Sequence, residues 1–203
     1  MNDRVLSHTE AHKLEDPQRL RWLPPAEILS HLPLAPGMKV ADVGAGTGYF
    51  SIPMARAVGE SGEVYAVDLQ QEMLDFLGEK LAQEGAPGNI SLLRGSASHL
   101  PLPAGSAHLT FYANVWHELE NHDSAFGEAL RISVPGGKIA ILDWRDDVAP
   151  PPGPPQAHRI PNQAVMAFLM TKGCSNVDSR QVGQYGYLVT AELNGSDWAD
   201  CEG

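Results

Sequence analysis

Short apolar runs alternate with amphipathic segments from about residue 38 to residue 142. This alternation is typical of βα units around a parallel sheet and predicts an α/β fold. The predicted strands are Lys39–Val43, Glu63–Asp68, Ile90–Arg94, Leu109–Ala113 and Gly137–Asp143, and the helices between them are Tyr49–Val58, Gln70–Glu84 and His122–Ile132. The second helix carries an apolar stripe at helical spacing, which we expect to pack on the sheet.

A proline-rich segment follows the fifth predicted strand. Residues 144–161, WRDDVAPPPGPPQAHRIP, contain six prolines, which exclude regular structure over most of this length. A loop this long in a compact domain is usually a lid or a binding loop. A helix at Asn162–Lys172 and strands near Ser175–Arg180 and Tyr185–Leu193 are predicted to complete the fold.

The pattern divides the chain into three parts. Residues 1–37 are predicted to form a helical lid segment, with Asp16 and Pro17 at one helix start and Pro24 and Pro25 at the next. Residues 38–193 form the α/β domain, and residues 194–203 are expected to be a frayed acidic tail.

Composition supports one globular domain of 203 residues, with 43% hydrophobic and 19% charged residues. No apolar run reaches the roughly 18 residues that a membrane span needs. The polar N-terminal stretch lacks an export signal, so we expect a cytoplasmic protein with Cys174 and Cys201 as reduced, unremarkable thiols. A net charge of −11 argues against nucleic acid or an anionic membrane as partner.

Candidate chemistry starts at the glycine-rich stretch after the first strand, Gly44-Ala45-Gly46-Thr47-Gly48. Glycine permits positive φ angles and lets a ligand approach backbone N–H groups at a helix start. Asp68, at the end of the second strand, is positioned to accept hydrogen bonds from ribose hydroxyls. We therefore expect a nucleoside-containing ligand at the carboxyl ends of these strands.

The glycine spacing distinguishes between nucleoside ligands. The dinucleotide fingerprint is GxGxxG, whereas here the third glycine comes one residue early. Asp42, two residues before Gly44, suits a positively charged ligand better than a pyrophosphate. The implied ligand is a nucleoside with a cationic tail.

Four motifs in order, DVGAGTGYF, VYAVD, LRGSASHLPLPAGSAHLTFYANVWHEL and ALRISVPGGKIAILDW, resemble those of class I S-adenosylmethionine-dependent methyltransferases. The variant resembles the small group related to quinone-biosynthesis methyltransferases. The resemblance implies a Rossmann-like, doubly wound sheet of seven strands, mostly parallel with an antiparallel last strand. It also implies S-adenosyl-L-methionine as cofactor and a small-molecule substrate.

The resemblance further implies which residues bind the cofactor. Asp42 would lie near the methionine ammonium, the glycine loop against the cofactor backbone, Asp68 on the ribose, and Leu69 and Met73 beside the adenine. Ser96 and Ala97 stand where many members carry an acidic residue that reads the adenine amino group. The full implied set is Asp42, Gly44, Ala45, Gly46, Gly48, Asp68, Leu69, Met73, Ser96, Ala97 and Asn114.

Catalytic candidates cluster where the cleft should open. They are His117, followed by Glu118, after the fourth strand, Asp143 after the fifth, and His158 in the proline-rich loop. A histidine titrates near neutral pH and can act as general base for a phenol, thiol or enol. Alternatively, His117 and Glu118 cap the next helix and Asp143 holds a loop through backbone N–H groups.

Several alternatives stay open from the sequence. Trp116 and Trp144 could line a substrate pocket or pack as core edges, the second being favoured for Trp116. His8, His12 and the other histidines lack metal-ligand spacing, so no metal is predicted. The rival functions are a nicotinamide-dependent oxidoreductase, disfavoured by the glycine spacing, and a non-catalytic nucleoside-binding module.

Overall fold

The computed structural model describes residues 6–83, 85–150 and 152–194. They form a seven-stranded sheet in the order β3-β2-β1-β4-β5-β7-β6, in which β7 is antiparallel to both neighbours. The strands are β1 Lys39–Val43, β2 Glu63–Asp68, β3 Ile90–Arg94, β4 Ala107–Ala113, β5 Ser133–Trp144, β6 Ser175–Val182 and β7 Gly186–Glu192. The predicted doubly wound α/β class with a reversed last strand is confirmed.

The helices are α1 Arg19–Trp22, α2 Pro25–Ser30, α3 Ser51–Val58, α4 Gln71–Leu81, α5 His122–Ile132 and α6 Asn162–Thr171, with 3₁₀ helices at His8–Glu15, Trp116–Glu118 and Gln156–His158. The predicted helix start at Tyr49 is two residues early, because the glycine loop continues in turns to Phe50. The next helix runs from Gln71 to Leu81, so the predicted bounds Gln70 and Glu84 are too wide, and Glu84 itself lies outside the described residues. So do residues 195–203 of the predicted tail, with Cys201.

The fifth strand differs from the prediction at its start. It begins at Ser133, four residues before the predicted Gly137, and pairs there with Ala107 of β4. The register shifts before Lys138, which pairs with Leu109. The Pro135–Gly137 stretch is therefore an irregularity within β5, because an inserted bend can keep both flanks paired.

Two large apolar clusters cover the two faces of the sheet. One contains Trp116, Val165 and Val189, and the other contains Val40, Phe111 and Leu188. Leu23 and Ile28 of the N-terminal helices are 0% exposed and belong to the second cluster. The part of the N-terminal segment that contains α1 and α2 is thus packed as core. Residues 6–15, hereafter the strap, extend over the glycine loop.

Candidate active site

The glycine loop follows β1, and β1 lies between its parallel neighbours β2 and β4. Val43 is in register with Val67 of β2 and with Tyr112 of β4, so the three strands end at the same edge. This juxtaposition brings Asp42, Asp68 and Asn114 to one side of the domain. It is the edge at which doubly wound folds bind ligands.

Glycine in the loop serves the fold directly. Gly44, Gly46 and Gly48 have φ angles of 75°, 54° and 83°, which disfavour side chains. A Cβ at Gly44 would lie 2.2 Å from Cγ2 of Val115, and one at Gly48 would lie 2.3 Å from Cδ1 of Leu77. These positions therefore require glycine for two reasons: the turn needs positive φ angles, and at Gly44 and Gly48 the side chains of Val115 and Leu77 occupy the space of a Cβ.

The expectation of bare N–H groups in this loop is wrong for four of its amides. The N–H groups of Gly44 and Ala45 donate to the Val67 carbonyl at 2.8 and 3.0 Å, and that of Gly48 donates to the Ala45 carbonyl at 3.0 Å. The Gly46 N–H donates to Oδ2 of Asp68 at 2.8 Å. Since these donors are satisfied within the protein, the groups left to recognise a ligand are mainly acceptors.

Two buried carboxylates mark the edge. Asp42 is 1% exposed and Oδ2 accepts from the Ser51 hydroxyl. Burial raises the pKa of Asp42 to about 7; the Ser51 bond opposes this rise and the Asp68 charge adds to it. Burial also raises the pKa of Asp68, and hydrogen bonds from the N–H groups of Gln70, Gly46 and Leu69 oppose this rise. The site thus concentrates negative charge where charge is costly, which favours a cationic ligand.

Asn114 stands at the end of β4 with a φ angle of 58°, a left-handed conformation that asparagine tolerates. Its N–H donates to the Leu142 carbonyl at 2.8 Å. Its buried Oδ1 has no hydrogen-bond partner among the described residues. A buried acceptor without a donor is rare in native proteins, so this atom is a candidate contact for a ligand donor.

The expected adenine residues lie at the ends of β2 and β3. Leu69 is 56% exposed directly after β2, whereas Met73 is 2% exposed in the first turn of α4. Ser96 forms an isolated bridge with His99, and Ala97 packs on the core at its edge. The Gly95 N–H, just before Ser96, donates to the Asp68 carbonyl at 3.0 Å, which connects this turn to the end of β2.

His117 and Asp143 form a buried pair at the ends of β4 and β5. Nδ1 of His117 lies 2.7 Å from Oδ1 of Asp143, and the His117 N–H donates to Oδ2 at 2.9 Å. The two side chains are 4% and 1% exposed. Burial lowers the pKa of His117, but the hydrogen bond and charge of Asp143 outweigh it and raise the pKa overall.

Glu118 adds a second carboxylate beside the imidazole. Its Oε1 lies 3.9 Å from Nε2 of His117, and its side chain is 17% exposed. Burial raises the pKa of Glu118 to about 7; His117 and the Leu6 N–H oppose the rise, and Asp143 and Asp68 contribute to it. The arrangement places one imidazole nitrogen on Asp143 and the other towards Glu118.

The other candidates take different places. The structure shows no hydrogen bond or ion pair between the His158 side chain and the His117–Asp143 pair within the described ranges, and its N–H donates to the Pro155 carbonyl. Trp116 is 2% exposed and packs edge-on against Tyr112 and Phe168, which confirms its core assignment. Trp144 is 8% exposed within the second core cluster.

The strap crosses the same edge of the sheet. The His8 N–H donates to Oε1 of Gln70 at 2.9 Å, and Nε2 of Gln70 donates to the Leu6 carbonyl at 2.7 Å. The Leu6 N–H donates to the Glu118 carboxylate, and a Cβ at Gly46 would lie 3.1 Å from Cδ1 of Leu14. The strap therefore spans from the end of β2 to the residues after β4.

The end of the strap is tied to the glycine loop. Oε1 of Glu15 accepts from Nζ of Lys80 at 2.6 Å and from the Thr47 hydroxyl, while Lys80 also donates to the Thr47 carbonyl at 2.8 Å. The sequence patterns did not identify three residues that hold the strap and the proline-rich loop: Gln70, Glu15 and Arg159. For Arg159 a signal existed, since six neighbouring prolines leave many carbonyls without local donors.

The residues present fit S-adenosylmethionine by their chemistry. Asp42, Asp68 and the Asn114 Oδ1 are acceptors, two of them carboxyl groups that a cation would hold ionised, and the ligand would supply ribose hydroxyls, an ammonium and a sulfonium as their complements. The described residues contain no group of three or more metal-ligating side chains. They also contain no helix of sufficient length and apolarity to cross a membrane.

A mostly parallel sheet with a glycine loop and acids at two strand ends is the arrangement of nucleoside-binding α/β proteins. Comparisons with known proteins identify the family within this class. Residues 40–137 match the model of a methyltransferase domain family. The structure of a SAM-dependent methyltransferase from Aquifex aeolicus superposes with a TM-score of 0.86 at 32% identity, covering 93% of this chain and 100% of that one. The chain belongs to the S-adenosylmethionine-dependent methyltransferases of class I.

Similar sequences include the ubiquinone/menaquinone biosynthesis C-methyltransferase UbiE of Shewanella pealeana, 36% identical over 109 residues, or 54% of this chain and 43% of the relative. The UbiE of Haemophilus ducreyi is 31% identical over 115 residues, 57% of this chain and 44% of the relative. This chain thus matches less than half the length of these relatives. A putative methyltransferase of Methanococcus maripaludis shares the fold, with a TM-score of 0.73 at 17% identity and coverage of 98% of each chain.

Proposed function

We propose that this chain transfers a methyl group from S-adenosylmethionine to a small-molecule acceptor that carries an ionisable proton. The observation that supports the acceptor class is the buried His117–Asp143 pair at 2.7 Å, beside the end of the strand that carries Asn114. A ready nucleophile needs no base for methyl transfer, so a buried, oriented imidazole favours a phenol, thiol or enol.

The cofactor contacts are proposed from the acceptors at the sheet edge. Asp42 would compensate the positive methionine end, Asp68 would accept from the ribose hydroxyls, and the Asn114 Oδ1 would accept from a donor of the methionine moiety. Leu69, Met73, Ser96 and Ala97 would surround the adenine. The loop of Gly44, Ala45, Gly46 and Gly48 would hold these groups in place through its positive φ angles rather than through free N–H groups.

His117 is proposed as the general base. An ionised carboxylate has no proton to donate. In a hydrogen bond to an ionised Asp143, Nδ1 of His117 therefore carries the proton, and Nε2 of the neutral imidazole keeps its lone pair. When bound, S-adenosylmethionine supplies the electrophilic methyl group. Nε2 would take the acceptor's proton and hold it on the imidazole beside Asp143, and transfer of the methyl group would leave the methylated molecule and S-adenosylhomocysteine.

The relatives' name adds one piece of support for this acceptor class. UbiE of Shewanella pealeana is named as a C-methyltransferase. Loss of a hydroxyl proton from a phenol or enol makes a neighbouring carbon nucleophilic, so the same base could serve methylation at carbon. His158, which has no described contact with the pair, is proposed only as a residue of the loop near the acceptor.

Within the predicted lid segment, residues 1–37, the strap is proposed as the part that covers this site, because Leu23 and Ile28 pack in the core. Residues 38–193 are proposed as the methyltransferase domain. Support comes from the strap, whose backbone is held by Gln70 and Glu118 on opposite sides of the edge. A cytoplasmic location and the absence of a nucleic-acid partner stay predictions, the second supported by the net charge of −11.

Calorimetry with S-adenosylmethionine, S-adenosylhomocysteine and NADH tests the cofactor. We expect the first two to bind; binding of NADH alone would overturn the proposal in favour of an oxidoreductase. Methyl-labelled S-adenosylmethionine with a panel of phenols, thiols and enols then tests transfer. Cofactor binding with no labelled product from any of them would favour a non-catalytic nucleoside-binding module.

A further inference from the structure

The proline-rich loop, residues 145–161, has more hydrogen-bond acceptors than donors. Its six prolines keep their carbonyl groups but have no N–H to donate. Backbone carbonyls that fold away from water need donors from elsewhere. Local backbone bonds in the described part of the loop are those of the 3₁₀ helix Gln156–His158, where the N–H groups of His158 and Arg159 donate to the Pro155 and Gln156 carbonyls.

Arg159 supplies donors to four of these carbonyls. Nη1 donates to the carbonyls of Arg145 and Val148 at 2.7 and 2.8 Å, Nη2 to that of Pro152 at 2.6 Å, and Nε to that of Pro154 at 3.1 Å. One guanidinium thus binds four carbonyl oxygens spread over ten residues of chain, from 145 to 154. Its rigid fork of five donors suits this task in a way that the single ammonium of lysine does not.

Arg159 is buried and lacks an acidic partner in the described part of the chain. It is 6% exposed, and its contacts are the four carbonyls and the Trp144 ring, whose centroid lies 5.8 Å from Cζ. Burial lowers the pKa of Arg159, and the charges of Asp143 and Asp146 oppose this. A buried cation is costly, and neutral carbonyls repay this cost only in part.

The loop that Arg159 holds follows the end of β5, which carries Asp143. It begins two residues after Asp143, and Gly153 packs on Trp144, where an added Cβ would lie 2.6 Å from Cδ2. At the other end the Tyr187 hydroxyl donates to the Ile160 carbonyl at 2.9 Å. The positive charge of Arg159 lowers the pKa of His117, whereas Asp143 and Glu118 raise this pKa.

We infer that Arg159 is a positioning residue: its guanidinium holds the proline-rich loop against Trp144 as a wall on the acceptor side of the site. The inference rests on the proposed function in that it assigns the loop to the acceptor side. The Arg159 hydrogen bonds within the described structure go to loop carbonyls, and none goes to the proposed cofactor residues or to the imidazole.

Two substitutions separate the hydrogen-bond donors of Arg159 from its positive charge. Arg159→Met removes the donors and the charge, whereas Arg159→Lys keeps a charge but cannot reach four dispersed carbonyls. Arg180→Met is the control, since Arg180 lies on β6 with a 45% exposed side chain paired to Asp178. The readouts are amide hydrogen exchange of residues 146–149 and 156–160, and the pKa of the His117 ring by NMR in protein with labelled histidine, assigned by the signal lost in His117→Gln.

The inference requires loop exchange about tenfold faster in both Arg159 variants than in wild type or Arg180→Met. It also requires a higher pKa of His117 in Arg159→Met, because a cation that opposes protonation has gone. Wild-type exchange in either folded variant, or an unchanged pKa of His117 in Arg159→Met, overturns it. If Arg159→Met does not fold, loop exchange in Arg159→Lys decides alone.

Neither readout needs an acceptor, so the inference fails separately from the proposed function. Calorimetry of the wild type with S-adenosylhomocysteine reports on that function: no binding would overturn the proposed methyltransferase and leave the loop results standing. We expect the Arg159 variants to bind S-adenosylhomocysteine within about threefold of wild type, since the four carbonyls lie outside the cofactor residues. Loss of this binding together with loop order would overturn the assignment of Arg159 to the acceptor side.

Discussion

Nδ1 of His117 lies 2.7 Å from Oδ1 of Asp143 although 26 residues separate the two in the chain. The contact exists because β4 and β5 are adjacent and parallel, with Ala113 in register with Leu142. Asp143 also accepts from the backbone N–H groups of His117 and Trp144, so its carboxylate is held in place before any substrate arrives. The pair therefore has the rigidity that an oriented base requires.

The first prediction concerns this pair. His117→Gln should lower methyl transfer about 10²- to 10⁴-fold, the usual contribution of a general base, and leave cofactor binding within about threefold. Asp143→Asn should also slow turnover and should move the acidic limb of the pH–rate profile to lower pH, because the hydrogen bond and charge of Asp143 raise the pKa of His117.

Steady-state rates from pH 5 to 9, with calorimetry on S-adenosylhomocysteine, check both expectations. His122→Gln serves as a control, since its imidazole bonds to the Trp116 carbonyl outside the pair. Unchanged turnover in His117→Gln would show that the pair is structural, as the helix-capping alternative holds.

Asp42 should trade stability against binding. Burial raises its pKa from 3.8 to about 7, so its stabilising effect is complete below pH 3.8 and is lost as the pH rises through about 7. Asp42→Asn mimics the neutral form and should therefore be more stable than wild type at pH 8, by roughly 1–3 kcal/mol, and nearly equal at pH 4. Its affinity for the cationic cofactor should fall.

Urea unfolding at pH 4, 6 and 8 measures the stability difference. Asp123→Asn is a suitable control because Asp123 is 70% exposed on α5. A stability difference that does not change with pH would mean that the Asp42 carboxyl titrates near its ordinary range in the folded protein.

Asp68 should contribute directly to cofactor affinity. Asp68→Ala should weaken binding of S-adenosylmethionine by about 1–3 kcal/mol, the range for a lost charge-assisted hydrogen bond. Asp68→Asn keeps one acceptor oxygen for the Gly46 N–H and should lose less. Calorimetry compares both with Asp75→Ala on the exposed face of α4; an unchanged affinity in Asp68→Ala removes this residue from the site.

Gly44 should tolerate alanine poorly for two separable reasons. Its φ of 75° costs a side chain about 1–2 kcal/mol, and the new Cβ would lie 2.2 Å from Cγ2 of Val115. Gly105→Ala isolates the first cost, because its φ is 65° with nothing within 4 Å of the added Cβ. In thermal unfolding, Val115→Ala should recover part of the loss in Gly44→Ala, and full additivity of the two changes would contradict the contact.

The strap should slow ligand release. Gln70→Ala removes two hydrogen bonds to the strap backbone and should raise the dissociation rate of S-adenosylhomocysteine about tenfold, with little change in thermal stability. Gln71→Ala is matched to it, because the hydrogen bond of the neighbouring Gln71 side chain within the described ranges goes to Asp75 on its own helix. Stopped-flow displacement measures both rates, and equal rates in the two variants would make the strap structural.

Much of this architecture was predictable from local patterns. The bounds of β1, β2 and β3 and of α5 agree with the sequence prediction, because alternation, helical periodicity and capping act over a few residues. The start of β5 at Ser133 was missed because a proline and two glycines signal a turn locally, while pairing with Ala107 of β4 carries the strand past them.

The sequence by itself determined the order of strands and helices, the left-handed loop at Gly44–Gly48 and the placement of Asp42 and Asp68 at strand ends, since backbone preference and apolar periodicity are local properties. Only the tertiary structure decided that Asp143 binds His117, that the loop amides are satisfied by Val67, Ala45 and Asp68, and that one arginine holds four carbonyls of a proline-rich loop. Those contacts depend on which strands become neighbours and where distant donors meet acceptors, which residue type and spacing do not encode.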